Sequence, residues 1–150
     1  TQNASADANT LDDYEEGDWT PVFTFATPGD LSVVYATQDG YYVKEGQLVC
    51  ESFQIVTSTF THTTASGNAQ ISGSAFTHAN IGVEAVGAMS WRGITKTSFT
   101  NVVLRRQVNT ASSLMLISGS GQAVATVAAA DMPTGGTVNL TATITLRASA

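Results

Sequence analysis

The sequence predicts an all-β domain built as an antiparallel sandwich or barrel, and three observations carry that expectation. Of 150 residues, 22 are Thr and 14 are Ser while only 12% are charged, against about 25% in ordinary soluble domains. Hydroxyls therefore supply the polarity, and the branched Cβ of Thr suits a pleated surface. Nine or ten short segments with apolar or alternating patterning follow one another, separated by Gly, Asn, Ser or Pro, at the spacing of roughly 8–12 residues typical of sandwiches and barrels. The segment TVNLTATITLR alternates Val138, Leu140, Ala142, Ile144 and Leu146 against Asn139, Thr141, Thr143 and Thr145, which reads as a strand with one buried face and one hydroxyl face.

Taken in order, residues 1–10 are polar and without period, a flexible lead-in. An acidic segment follows, and 19–25 (WTPVFTF) alternates Val22 and Thr24 against Phe23 and Phe25, with Pro21 placing the strand's start at a sheet edge. PGD at 28–30 is a turn, 31–36 a short strand, and Asp39-Gly40 a hairpin signal. Residues 40–44 lead into Gly46. The longest strand spans 48–60, with a register flip between Glu51 and Gln54 of the kind a bulge produces. SGN at 66–68 turns into 69–72, and strands follow at 82–91, 98–105, 113–118, 124–129 and 137–147. AVATVAAADM at 123–132 competes as a helix through its alanines, but Val124, Thr126, Val127 and its short length favour a strand. One domain is expected at this length, divided into an acidic arm over 1–18 and a single β-sandwich over 19–150.

The charge is uneven. Residues 1–43 hold eight acids and no Lys or Arg, whereas 44–150 hold four acids and all six bases. The net charge of −6 argues against a nucleic-acid partner, which needs clustered Lys and Arg. A body this poor in charge is either a weakly charged soluble domain or one whose surface is covered by copies of itself, because homo-oligomer interfaces are depleted in charge. No run approaches the ~18 apolar residues of a membrane-spanning helix, so no membrane insertion is expected.

Candidate chemistry is sparse. His62 and His78 lie sixteen residues apart in Thr-rich and loop-like contexts, unlike the spacing of two or four that pairs metal ligands on a strand or helix; both read as solvated or hydrogen-bonded. Cys50, the single cysteine, reads as a buried structural thiol. The acidic run Asp12-Asp13-Tyr14-Glu15-Glu16 lacks the spacing and turn glycine of a dedicated calcium loop. No nucleophile elbow or phosphate-binding loop is present. Neither catalysis, a metal nor a cofactor is expected.

The segment LDDYEEGDWTP, from Leu11 to Pro21, resembles one that many tailed-bacteriophage virion proteins carry just before a β-domain. In that family a Gly-x-Tyr-x-Lys-x-Gly element follows, present here as Gly40, Tyr42, Lys44 and Gly46, and then an Ile-x-Gly element ending in Phe, present as Ile71, Gly73 and Phe76. Departures from the family pattern are Asp18 for Thr or Ser, Glu45 for an apolar residue, and Ser74-Ala75 for Leu-Pro. The resemblance covers about half the chain. It implies a jelly-roll or C1q-like β-sandwich, a homotrimer on the virion surface, made in the host cytoplasm.

Within that family the expected role is a capsid decoration or cement protein that binds the major capsid protein and stabilises the lattice. A short acidic arm ahead of one knob suits that role, and the absence of Met before Thr1 fits either a processed small protein or excision from a longer chain. The expected docking residues are Asp12, Asp13, Tyr14, Glu15, Glu16 and Trp19. The alternative is the receptor-binding tip of a tail fibre, exposing Tyr41, Tyr42, His62 or Trp91 to a host glycan.

Overall fold

The structure is a computed structural model and describes residues 13–119 and 121–149. It is all-β and antiparallel. The strands are β1 (Tyr14–Trp19), β2 (Val22–Thr27), β3 (Ser32–Glu45), β4 (Leu48–Thr61), β5 (Ser66–Ser72), β6 (Ala85–Arg92), β7 (Asn101–Arg106), β8 (Ser113–Ser118), β9 (Ala125–Thr126) and β10 (Asn139–Arg147), with one 3-10 turn at Ala129–Asp131. Hydrogen bonding runs through a single sheet in the order β1-β3-β4-β10-β6-β7-β8-β5-β2, with β9 on β8.

That sheet curls into a half-barrel. Phe23 and Phe25 of β2, at one end of the strand order, pack edge-on against Phe60 of β4, near the other end, at centroid separations of 5.0 and 6.3 Å. Such contacts require the two halves to face each other over a common core. Side chains seal the seam: the Tyr35 hydroxyl accepts from the Phe23 N–H at 3.0 Å, and Gln38 donates to the Pro21 carbonyl at 3.0 Å. An unpaired backbone donor near the core is thus satisfied without a ladder.

Burial alternates along β10 as its sequence predicts, with Leu140, Ala142, Ile144 and Leu146 inside and Thr141, Thr143 and Thr145 outside. Elsewhere the structure departs from the reading. Trp19 ends β1, and Thr20-Pro21 separates it from β2, so 19–25 is two strands. Asp39-Gly40 is no hairpin but the middle of the fourteen-residue β3; the chain reverses at Gly46 instead, where φ is +59°. SGN opens β5 opposite a register shift in β2. Along β4 the residues Val49, Glu51, Phe53, Ile55 and Thr57 all point inward without a flip at Glu51. The irregularity comes later, where Val34 pairs with Thr59 and Tyr35 with Thr57. In consequence Cys50 is exposed, not buried. Over 124–129 only Ala125 and Thr126 pair as a strand before the 3-10 turn, where the Asp131 carboxylate accepts from the Ala128 N–H at 2.9 Å.

Both histidines lie inside. His62 packs against Phe25 and Phe60 at 5.0 and 5.9 Å, and its Nε2 has no partner. The ring nitrogens of His78 lie 3.0 and 2.8 Å from the carbonyls of Arg147 and Val83, tying the loop before β6 to the end of β10.

Candidate functional site

The first two motifs singled out in the sequence are the two strands of one ribbon. β1 pairs with the end of β3 so that Glu15 lies opposite Lys44, Gly17 opposite Tyr42, Asp18 opposite Tyr41 and Trp19 opposite Gly40. Gly40 is required by its neighbour, since a Cβ there would lie 2.6 Å from the Trp19 carbonyl oxygen and 2.7 Å from its indole Nε1. The indole fills that space and meets Phe53 edge-on at 5.7 Å, leaving Trp19 8% exposed. Trp19 is therefore both a core residue and the anchor at the end of β1. The third motif closes on the same place: Gly73 lies against the Thr20 carbonyl, and Phe76 stacks edge-on against Tyr42 at 4.8 Å.

On the ribbon's surface three tyrosines hold two glutamates. Tyr14 and Tyr41 both donate to Glu16 Oε2, at 2.7 and 3.1 Å, and Tyr42 donates to Glu15 Oε1 at 2.6 Å. Those bonds pull the Glu16 carboxyl below its ordinary value and push all three phenols above theirs, because ionising a phenol would set two anions against each other. Asp13 pairs with Lys44. Of the expected docking residues, the structure thus sets Tyr14 and Glu16 on the outer face of β1·β3 beside Tyr41, turns Glu15 to the opposite face with Tyr42, pairs Asp13 with Lys44 and sends Trp19 to the core; Asp12 lies outside the described residues.

Beside this ribbon runs a shallow groove of about 710 Å³ on the outer face of the sheet. The register builds it. Asp18, Tyr41, Ser52 and Thr143 form one row across β1, β3, β4 and β10, and Asp39, Gln54 and Thr141 form the next. Asp18 and Asp39 have no ion-pair partner among the described residues. Of these groove residues the sequence reading singled out only Tyr41 as a contact residue. The others come from four strands up to 125 positions apart, Asp18 to Thr143, and only the strand order places them side by side. Of the other residues expected on a ligand face, Tyr42 is half-buried against Phe76, His62 is buried against Phe25 and Phe60, and Trp91 is half-buried against Phe99.

The far half of the same outer face differs in kind. Val86 and Ala88 of β6, Val103 of β7 and Leu114 of β8 share that face. Val86 is 61% exposed. The only ion pair there among the described residues joins Arg105 to Glu84 at 3.5 Å.

No family model matches the chain, and no curated protein matches it in sequence. The solved structures include one similar fold, the crystal structure of the Dettilon tailspike protein, at a TM-score of 0.61 and 15% identity. The likeness is one of fold. It covers 87% of this chain and 23% of the tailspike chain, so the present sequence spans under a quarter of that protein's length.

Proposed function

We propose that this chain is a non-enzymatic structural module of a bacteriophage virion, displayed at the particle surface as a homotrimer and carried by a tail spike or tail fibre. The observation that carries the reading is the junction of the three motif elements. Residues spread over Asp13–Phe76 that resemble one virion-protein family converge physically on Trp19, Gly40, Tyr42 and Phe76, in a fold similar to that of a tailspike. The reading takes the two facing halves of the curled sheet as the layers of a jelly-roll-like sandwich. It assigns the apolar outer face of β6, β7 and β8 to contact between copies, because exposed contiguous apolar surface marks association sites.

The second reading is a capsid decoration protein that binds the major capsid protein. What favours it is the unneutralised acid on the β1·β3 side, where Asp18, Asp39 and Glu45 are exposed and have no cation partner among the described residues. Such an edge suits a basic lattice surface.

Quantitative mass spectrometry of purified virions, against the major capsid protein, separates the two. A few to a few dozen copies match spike or fibre stoichiometry. Hundreds of copies match a lattice and replace the first reading with the second. Absence from the particle overturns both, and a monomeric native mass removes the trimer.

A further inference from the structure

We infer that the groove over β1, β3, β4 and β10 is a binding site for a neutral, hydroxyl-rich saccharide. The inference stands on the groove's own chemistry and holds whichever position on a virion the chain occupies.

The lining is a mixed set of donors and acceptors. Asp18 and Asp39 supply carboxylate acceptors on one side, while Ser52, Thr141 and Thr143 supply hydroxyls and Gln54 an amide on the other. Sugar hydroxyls each donate and accept, so a saccharide satisfies both kinds of group at once. A phosphate, sulfate or sialic-acid ligand does not fit, since it meets two carboxylates and no lining cation. The volume of about 710 Å³ lies within the range of small-ligand sites, roughly 300–1,000 Å³. Adjacent strands set equivalent side chains about 4.8 Å apart, a spacing on the scale of one pyranose ring, so the open groove suits several linked units.

Tyr41 gives the groove an apolar wall. The residue is 43% exposed and its hydroxyl is tied to Glu16 at 3.1 Å, so the side chain is held in place and few rotors freeze on binding. Extended peptides are the wrong shape for this place. β3, β4 and β10 are paired on both edges along the groove, and the free edge of β1 lies at its rim, so a strand added there would widen the sheet without crossing the groove. Recognition there rests on side chains alone.

The test is an amide chemical-shift titration of the isotope-labelled chain with maltohexaose, cellohexaose, mannohexaose and chitohexaose, and in parallel with a heparin hexasaccharide and oligosialic acid. The expected result is that at least one neutral oligomer shifts the amides of Ser52, Gln54, Thr141 and Thr143. Asp39→Asn combined with Gln54→Ala then weakens that binding at least tenfold while the melting temperature stays put. Three results overturn the inference: no neutral oligomer perturbs these amides, an anionic oligosaccharide binds here more tightly, or the double variant binds as the parent does. Separately, a virion copy number of zero overturns the virion reading without touching this one.

Discussion

Glu51 of β4 and Arg106 of β7 form an ion pair across the interior of the curled sheet, Oε2 to Nη2 at 2.9 Å, with each side chain 1% exposed. Arg106 is otherwise saturated: Nε donates to Ser113 Oγ at 3.1 Å, and Nη1 donates to Ser74 Oγ and the Phe76 carbonyl at 3.0 and 3.3 Å. Ser74 in turn donates to Glu51. The pair therefore fixes the loop after β5, and with it Phe76, against strands that are not its sheet neighbours.

Removing one member leaves the other charged and buried, which costs about 3–5 kcal/mol. Arg106→Met is expected to lower the melting temperature by on the order of 10 °C. Glu51→Leu in the Arg106→Met background is expected to recover part of that loss, because neither charge then remains buried alone. A urea-denaturation double-mutant cycle reads the coupling. Near-zero coupling between the two sites would show that the pair is not what holds the loop.

Gly40 and Gly46 separate two reasons for a glycine in one motif. Gly46 sits at φ +59° with nothing within 4 Å of an added Cβ, so Gly46→Ala carries only the left-handed backbone cost of about 1–2 kcal/mol. Gly40→Ala drives a methyl into the Trp19 indole, and β1 must shift off β3 to admit it. The expected signature is a red-shifted tryptophan emission and lost amide protection across Tyr14–Trp19 for Gly40→Ala, with neither change for Gly46→Ala. Equal behaviour of the two variants would refute the steric assignment.

The pattern of what was legible follows contact range. β10 was readable because its burial depends only on alternation between immediate neighbours. Glu51 was not, since a carboxylate is a reasonable inward residue only when Arg106, fifty-five positions on, is known to meet it. The same misplaced register put Cys50 inside. Asp39-Gly40 carries the local chemistry of a turn, but the cause of the glycine is an indole twenty-one positions earlier. The ribbon motifs were visible as residues, whereas their mutual pairing and the groove beside them exist only through strand order.

Two acid–base groups should move stability in opposite pH ranges. The exposed Asp30 carboxylate accepts from the backbone N–H groups of Thr63 and Thr64 at 2.8 and 2.7 Å and from both their hydroxyls. The Thr63 hydroxyl and these amides hold it well below the usual carboxylate range. Its folded value lies below the unfolded one, so the stabilisation is complete above about pH 4 and is lost as pH falls through the folded value. Asp30→Asn is expected to lower the urea midpoint at neutral pH, with the gap to the parent closing only in strong acid. A gap that is constant with pH would mean the clasp does not depend on charge.

The phenols of Tyr14, Tyr41 and Tyr42 have the reverse sign. Hydrogen bonds to Glu16 and Glu15 raise them, so their contribution is present below about pH 10 and is lost as pH rises through the folded values. An ultraviolet titration of the folded protein should place these phenols above the ordinary tyrosine range. Glu16→Gln should bring down Tyr14 and Tyr41 and leave Tyr42, which Glu15 holds. A titration unchanged by Glu16→Gln would mean the ladder does not persist in solution.

Val86 tests the division of the outer face. It is 61% exposed and shares a row with Arg105 and Leu114, next to the row of Ala88 and Val103. A carboxylate introduced there is solvated in a monomer and costs the fold little. Buried between copies it faces apolar surface, and Arg105, the cation across from it, is already paired with Glu84, so the added charge destabilises the assembly. In the proposed homotrimer, Val86→Glu is therefore expected to convert a trimeric native mass to a monomeric one with little change in circular dichroism. Thr143→Glu, on the groove half of the same face, is expected to leave the trimer intact. If Thr143→Glu dissociates the oligomer and Val86→Glu does not, the two halves of the sheet have exchanged roles, and the groove rather than the apolar patch is where copies meet.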